Sequence, residues 1–196
     1  MARSDISDKL IHFTKGDDYD ESLKSLFNIL RCGRLIGGTG KIKGGFPCVC
    51  FTEAPLPAIS HAFVADGRLA RYSPFGVIVS KKWLFERGGR PVIYQSDAEF
   101  QALPAEMRWR HVRYEPNGCP PTDFSWEREW RIRTDALEIS ASDATVVVPD
   151  AEWKANLLRM WNLEQIYIEA AYSTIFDETI ALQLAESARW RIVTLR

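Results

Sequence analysis

Short strand-forming runs recur along this chain without the regular helical spacers that a parallel β-α-β fold requires. Residues 9–14, 47–52, 76–80, 91–94, 109–114, 127–133, 144–148, 165–169 and 190–195 carry the strand signature. Helical spacing of apolar residues is clearest over 21–31, where Leu23, Leu26, Phe27 and Leu30 recur and Gly33 supplies the stop. Further helical patterns fall at 56–65, 81–87, 97–103, 150–161 and 176–187. This arrangement predicts an α+β fold. Its sheet is mixed, largely antiparallel and twisted, with short helices flanking it, in one domain spanning 1–196.

The size suits that reading, since 196 residues with 46% hydrophobic and 26% charged side chains match an ordinary globular domain. Seven tryptophans are many for this length, and those in periodic segments are expected in the core. Lys and Arg number 25 against 26 Asp and Glu, so a grip on long duplexes by phosphate neutralisation alone is not expected. A local patch such as Arg108-Trp109-Arg110-His111-Val112-Arg113 can still hold a short strand or a pyrophosphate. No apolar run approaches the roughly 20 residues of a membrane span, and the first residues lack a signal-peptide core. A cytoplasmic location is expected, with no membrane partner. Cys32, Cys48, Cys50 and Cys119 are then reduced, small buried residues, and their spacing fits no zinc motif.

Chemistry concentrates in the run Phe124-Ser125-Trp126-Glu127-Arg128-Glu129-Trp130-Arg131-Ile132-Arg133. Read as a strand, it puts Glu127, Glu129, Arg131 and Arg133 on one face and Trp126, Arg128, Trp130 and Ile132 on the other. Two carboxylates about 7 Å apart can steady a developing positive charge or take a proton from a nucleophile. A solvated face with cross-strand ion pairs is the plainer alternative. On the first strand His12 and Thr14 share a face opposite Ile11 and Phe13. Phe51-Thr52-Glu53-Ala54-Pro55 ends a strand and turns, where Thr52 can cap a helix. Arg71-Tyr72-Ser73 joins a guanidinium, a phenol and a hydroxyl ahead of an apolar strand. The stretch 37–45 is a glycine-rich loop with two lysines, a connector or a mobile lid, and it lacks the Gly-Lys-Ser/Thr ending of a phosphate-binding loop.

The order of these pieces resembles the ADP-ribosyltransferase family. The matching pieces are His-Phe-Thr on a first strand, Leu-x-x-Leu-Phe-x-Ile-Leu-x-x-Gly-x-Leu on a helix, Val-Cys-Phe-Thr-Glu on a strand, and a late Glu-x-Glu-Trp. Within that family the chain is most similar to the small bacterial DarT-like branch, which modifies thymidine in single-stranded DNA. It also resembles the AbiGi-like group of abortive-infection proteins, in Cys-Phe-Thr-Glu-Ala-Pro at 50–55, Tyr-Ser-Pro-Phe-Gly at 72–76 and Gly-Arg-Pro-Val-Ile-Tyr at 89–94.

The resemblance implies an ADP-ribosyltransferase-like fold and an enzyme that consumes NAD as a substrate and needs no metal. It implies Glu129, Glu127 and Arg71 as catalytic residues, with Arg34 the second choice of arginine. His12, Thr14, Thr52, Tyr72 and Ser73 would bind NAD. Glu127 matches the first glutamate of the Glu-x-Glu pair in members that modify proteins and guanine, and departs from the DarT-like pattern. Acceptors among nucleic acids, single-stranded DNA or RNA, and a cognate antitoxin or toxin partner in phage defence follow from the same resemblance. The alternative it carries is a non-catalytic antitoxin or accessory binding protein of an abortive-infection system. A third reading is a nuclease holding a metal on Glu53, Glu127 and Glu129.

Overall fold

A computed structural model of the chain describes residues 6–40, 42–55, 72–172 and 190–195. The helices expected at 56–65 and 176–187, together with Lys41 and Arg71, lie outside them. The described elements run β1 (Lys9–Phe13), α1 (Tyr19–Cys32), β2 (Arg34–Ile36), β3 (Cys48–Thr52), β4 (Gly76–Ser80), α2 (Lys81–Glu86), β5 (Arg90–Pro91), β6 (Ile93–Gln95), β7 (His111–Arg113), β8 (Glu129–Arg133), β9 (Ala136–Glu138), β10 (Ala144–Val148), α3 (Ala151–Tyr172) and β11 (Arg191–Thr194).

Seven strands form the main sheet in the order β11-β10-β4-β1-β3-β8-β5. Only the β10–β11 pair is parallel, so the sheet is mixed and largely antiparallel, an α+β architecture with few helices. β2–β9 and the parallel pair β6–β7 make two small additional sheets.

Alternation along the strands sorts the side chains into layers. Leu10, Val49, Phe51, Val77, Val79, Trp130 and Ile132 meet Leu23, Leu26, Phe27 and Leu30 of α1 and Leu157 of α3 in the main core. On the other face Ile11, Phe13 and Val147 form a smaller cluster, and Cys48 packs with Ile42 and Trp109. α1 starts where the Asp18 carboxylate accepts the Glu21 N–H at 2.8 Å and the Glu21 carboxylate accepts the Asp17 N–H at 3.0 Å. It ends at Gly33 in the left-handed region, φ 63°.

Four expectations need correction. Residues 165–169 are helical, because nothing between Trp161 and Gln165 stops α3, and Asn162-Leu163-Glu164 carries it onward to Tyr172. The expected strand at 127–133 begins only at Glu129. Residues Ser125–Glu127 form a 3₁₀ turn, and Arg128 takes a left-handed conformation, φ 45° and ψ 50°. Trp126 is therefore 41% exposed instead of buried. Of the cysteines, Cys48 is buried, but Cys32 and Cys119 are exposed.

Candidate active site

The main sheet forks beside its centre. β1 pairs with β4 at five positions but meets β3 at Ile11↔Thr52 alone. Past that point the His12 ring takes the place of a ladder hydrogen bond, with Nδ1 2.8 Å from the Cys50 carbonyl oxygen. A carbonyl oxygen only accepts, so Nδ1 carries the hydrogen. Burial lowers the His12 pKa, the Cys50 hydrogen bond opposes this, and Lys15 lowers it further. The imidazole is thus neutral near pH 7, with Nε2 an acceptor.

A cavity of about 550 Å³ opens at this fork, the size of a small-molecule site. Its walls include His12 from β1, Cys50 and Thr52 from β3, Tyr72, and Glu127 and Glu129 from the turn and the start of β8. Lys15, Lys43, Arg113 and Asp97 bring charge to the remaining wall.

The turn that presents the two glutamates is pinned from three sides. Thr52 Oγ1 donates to the Glu127 carbonyl at 2.5 Å, the Glu53 N–H donates to the Arg128 carbonyl at 3.2 Å, and the Glu129 N–H donates to Tyr94 Oη at 3.1 Å. These contacts hold Arg128 in a region that non-glycine residues seldom occupy. Tyr72 Oη donates to Glu127 Oε2 at 2.6 Å. Glu129 is gripped at two points by Arg131, Nε to Oε1 at 2.8 Å and Nη2 to Oε2 at 3.1 Å. Arg131 Nη1 also donates to the Trp109 and His111 carbonyls, at 3.1 and 2.9 Å. Burial pulls the Arg131 pKa down, and the Glu129 carboxylate more than reverses it. Burial and the neighbouring Glu129, to which the thiol is hydrogen-bonded, push Cys50 far above the usual thiol range, so it is no nucleophile. Tyr94 is pushed up to about 12, mainly by burial.

His12, Thr52, Tyr72, Glu127 and Glu129 therefore converge on one cavity. Thr14 does not join them. Its hydroxyl is buried and donates to the Phe75 and Ser22 carbonyls, tying the end of β1 to β4 and α1. Ser73 is buried away from the cavity walls. Arg34 is exposed on β2, opposite Glu138 of β9, and does not line the cavity. Glu53 turns elsewhere, with Oε1 2.6 Å from Lys81 Nζ and Oε2 accepting the Trp130 indole N–H at 3.0 Å. The three carboxylates of the nuclease reading do not assemble, and among the described residues no group of His, Cys, Asp or Glu is placed to hold a metal ion.

The glycine-rich loop is a packed wall of the cavity. Gly38 bridges Cys48, Ile42 is buried against Trp109, and Lys43 Nζ meets Asp97 Oδ1 at 2.8 Å and lies 4.6 Å from the Phe100 ring centre. Cys50, Tyr94 and His111 fall within runs quoted from the sequence, at 50–55, 89–94 and 108–113, but nothing in those runs ties them to the two glutamates. Arg131 carried a readable signal, since strand parity puts it on the face of Glu129.

No protein-family model and no curated protein matches the chain. Among solved structures, it is similar to the DarT of Thermus sp. 2.9 in complex with NAD+, at 14% identity and a TM-score of 0.43, over 94% of this chain and 93% of that one. A similarity of that size assigns neither an activity nor a residue role. Among the described residues no helix is long and apolar enough to cross a membrane.

Proposed function

We propose that the protein is an ADP-ribosyltransferase that consumes NAD and modifies a macromolecular acceptor, with a nucleic acid as the first candidate. The observation that carries this reading is the convergence of His12 and Glu129 on one 550 Å³ cavity with a guanidinium, that of Arg131, at the carboxylate. They are two of the positions that the motif resemblance singles out, and they lie 117 residues apart in sequence. The plain alternative of a solvated charged strand does not account for a carboxylate 5% exposed at Glu127 beside a second one on the same cavity.

The chemistry suits the residues. The bond between ribose C1′ and the nicotinamide nitrogen breaks, its electron pair stays with nicotinamide, and positive charge develops on the ribose. A fixed carboxylate at Glu129 stabilises that charge where it forms. His12 Nε2, a neutral acceptor, takes a hydrogen bond from a ribose hydroxyl. An oxygen or nitrogen of the acceptor then bonds to C1′ and loses its proton, for which Glu127 is the base at hand. Tyr72 orients that base through its 2.6 Å hydrogen bond. A role in phage defence, with a neutralising partner, belongs to the same reading.

The test of the acceptor is transfer from NAD labelled in its adenylate half to single-stranded DNA, RNA and cell protein, each followed separately. Label retained on one polymer and lost in Glu127→Ala supports the reading. Nicotinamide release with no label on any polymer would reduce it to an NAD glycohydrolase.

A further inference from the structure

We infer that Arg131 is the positioning residue for Glu129, holding its carboxylate at the angle the transfer requires, and that it does not serve as a phosphate ligand. This rests on the transferase reading above. A guanidinium has five N–H groups in a fixed fork. Four are used inside the protein. Nε and Nη2 take one Glu129 oxygen each, at 2.8 and 3.1 Å, and Nη1 reaches the Trp109 and His111 carbonyls at 3.1 and 2.9 Å.

The arrangement is rigid because its parts come from separate elements. Glu129 and Arg131 share one face of β8, while the two carbonyls belong to the 3₁₀ turn before β7 and to the first residue of β7. The Arg131 side chain is 6% exposed and that of Glu129 13%, so solvent screens the pair little. Arg131 takes one lone pair of each carboxylate oxygen and the Cys50 thiol a third, which leaves one for the cavity. A ribose hydroxyl or the developing charge at C1′ meets a carboxylate that cannot swing. With Arg131 committed in this way, the pyrophosphate must be met by other cations of the cavity wall, among which Lys15 makes no ion pair with a described residue.

A purely structural ion pair and a positioning one differ in what they move. Arg131→Met, Arg131→Lys and Glu129→Gln are to be compared with wild type for nicotinamide release, for KM of NAD, and for urea unfolding. Positioning predicts that Arg131→Met lowers kcat by about 100-fold while KM stays within about threefold. Arg131→Lys keeps the charge without the two-point fork and falls between the two. A folded Arg131→Met with kcat near that of wild type overturns the inference, as does a raised KM at unchanged kcat, the mark of a phosphate ligand.

Wild-type protein that releases no nicotinamide would sink the transferase reading alone. The unfolding data then decide whether Arg131 holds the Glu129 carboxylate. A double-mutant cycle with Glu129→Gln is expected to show coupling of about tenfold in the unfolding constant, and additive effects would overturn the inference. If Arg131→Met does not fold, the same cycle runs on Arg131→Lys.

Discussion

His12 and Cys50 face each other across the fork between β1 and β3, joined by a hydrogen bond of 2.8 Å from the imidazole to the backbone carbonyl. The contact fixes the ring's tautomer, while burial, against the pull of that hydrogen bond, keeps the ring neutral. Its pKa is lowered in the fold, so below about pH 6.5 the unfolded chain binds a proton that the folded protein refuses. Stability therefore falls as pH drops from about 6.5 toward the folded pKa. Urea unfolding at pH 7.5 and 5.5 should show this fall in wild type and a smaller one in His12→Gln. Equal falls in both would contradict the assignment.

Gly76 lies opposite Phe13 on the neighbouring strand, and a Cβ there would collide with the His12 carbonyl oxygen and crowd Phe13. Gly76→Ala is expected to cost about 2 kcal/mol through forced backbone displacement. Because the shift passes through His12, NAD affinity should fall as well. Thermal unfolding and NAD titration check the two effects, and a variant with wild-type Tm and affinity would show that β1 and β4 separate freely.

The turn at Arg128 was not readable in advance, because its φ of 45° belongs to a residue type that rarely adopts it. What holds it is non-local: the Thr52 hydroxyl, the Glu53 amide and the Tyr94 phenol. Arg128→Gly and Arg128→Val both lose the arginine side chain but differ in tolerance of positive φ. The glycine variant should be the more stable by about 1–2 kcal/mol. Equal stabilities by urea unfolding would mean that the turn relaxes in solution.

From Glu129 onward the same segment was readable, since Glu129, Arg131 and Arg133 alternate with Trp130 and Ile132 as a half-buried strand requires. α1 was readable for a similar reason, its apolar spacing, cap and terminal glycine all agreeing. Ile166 and Ile168 misled, being β-branched residues inside a helix that no local breaker ends. Thr14 misled in another way. Parity put it beside His12, but it lies past the end of β1, where the chain turns toward α1. The separation of Glu53 from the other carboxylates depends on Trp130 and Lys81, partners distant in sequence.

Tyr72 and Glu127 give the clearest separation of roles within the cavity. Tyr72→Phe removes the 2.6 Å hydrogen bond to a carboxylate that is otherwise deeply placed, at an expected cost of about 1–3 kcal/mol in stability. If Glu127 serves the acceptor, transfer to polymer should drop further than nicotinamide release does. Both are read in one assay with doubly labelled NAD. Equal losses in the two would move Glu127 to the cleavage step.

Under the proposed transferase reading, Glu129 stabilises charge at the ribose as NAD is cleaved. The most direct measurement is nicotinamide release by wild type and Glu129→Gln at saturating NAD, with NAD binding measured in parallel by titration calorimetry. A loss of about 100-fold or more in kcat is expected in the variant, with binding retained. Undiminished release in Glu129→Gln, or a wild-type protein that neither binds nor cleaves NAD in the presence of any acceptor, would contradict it.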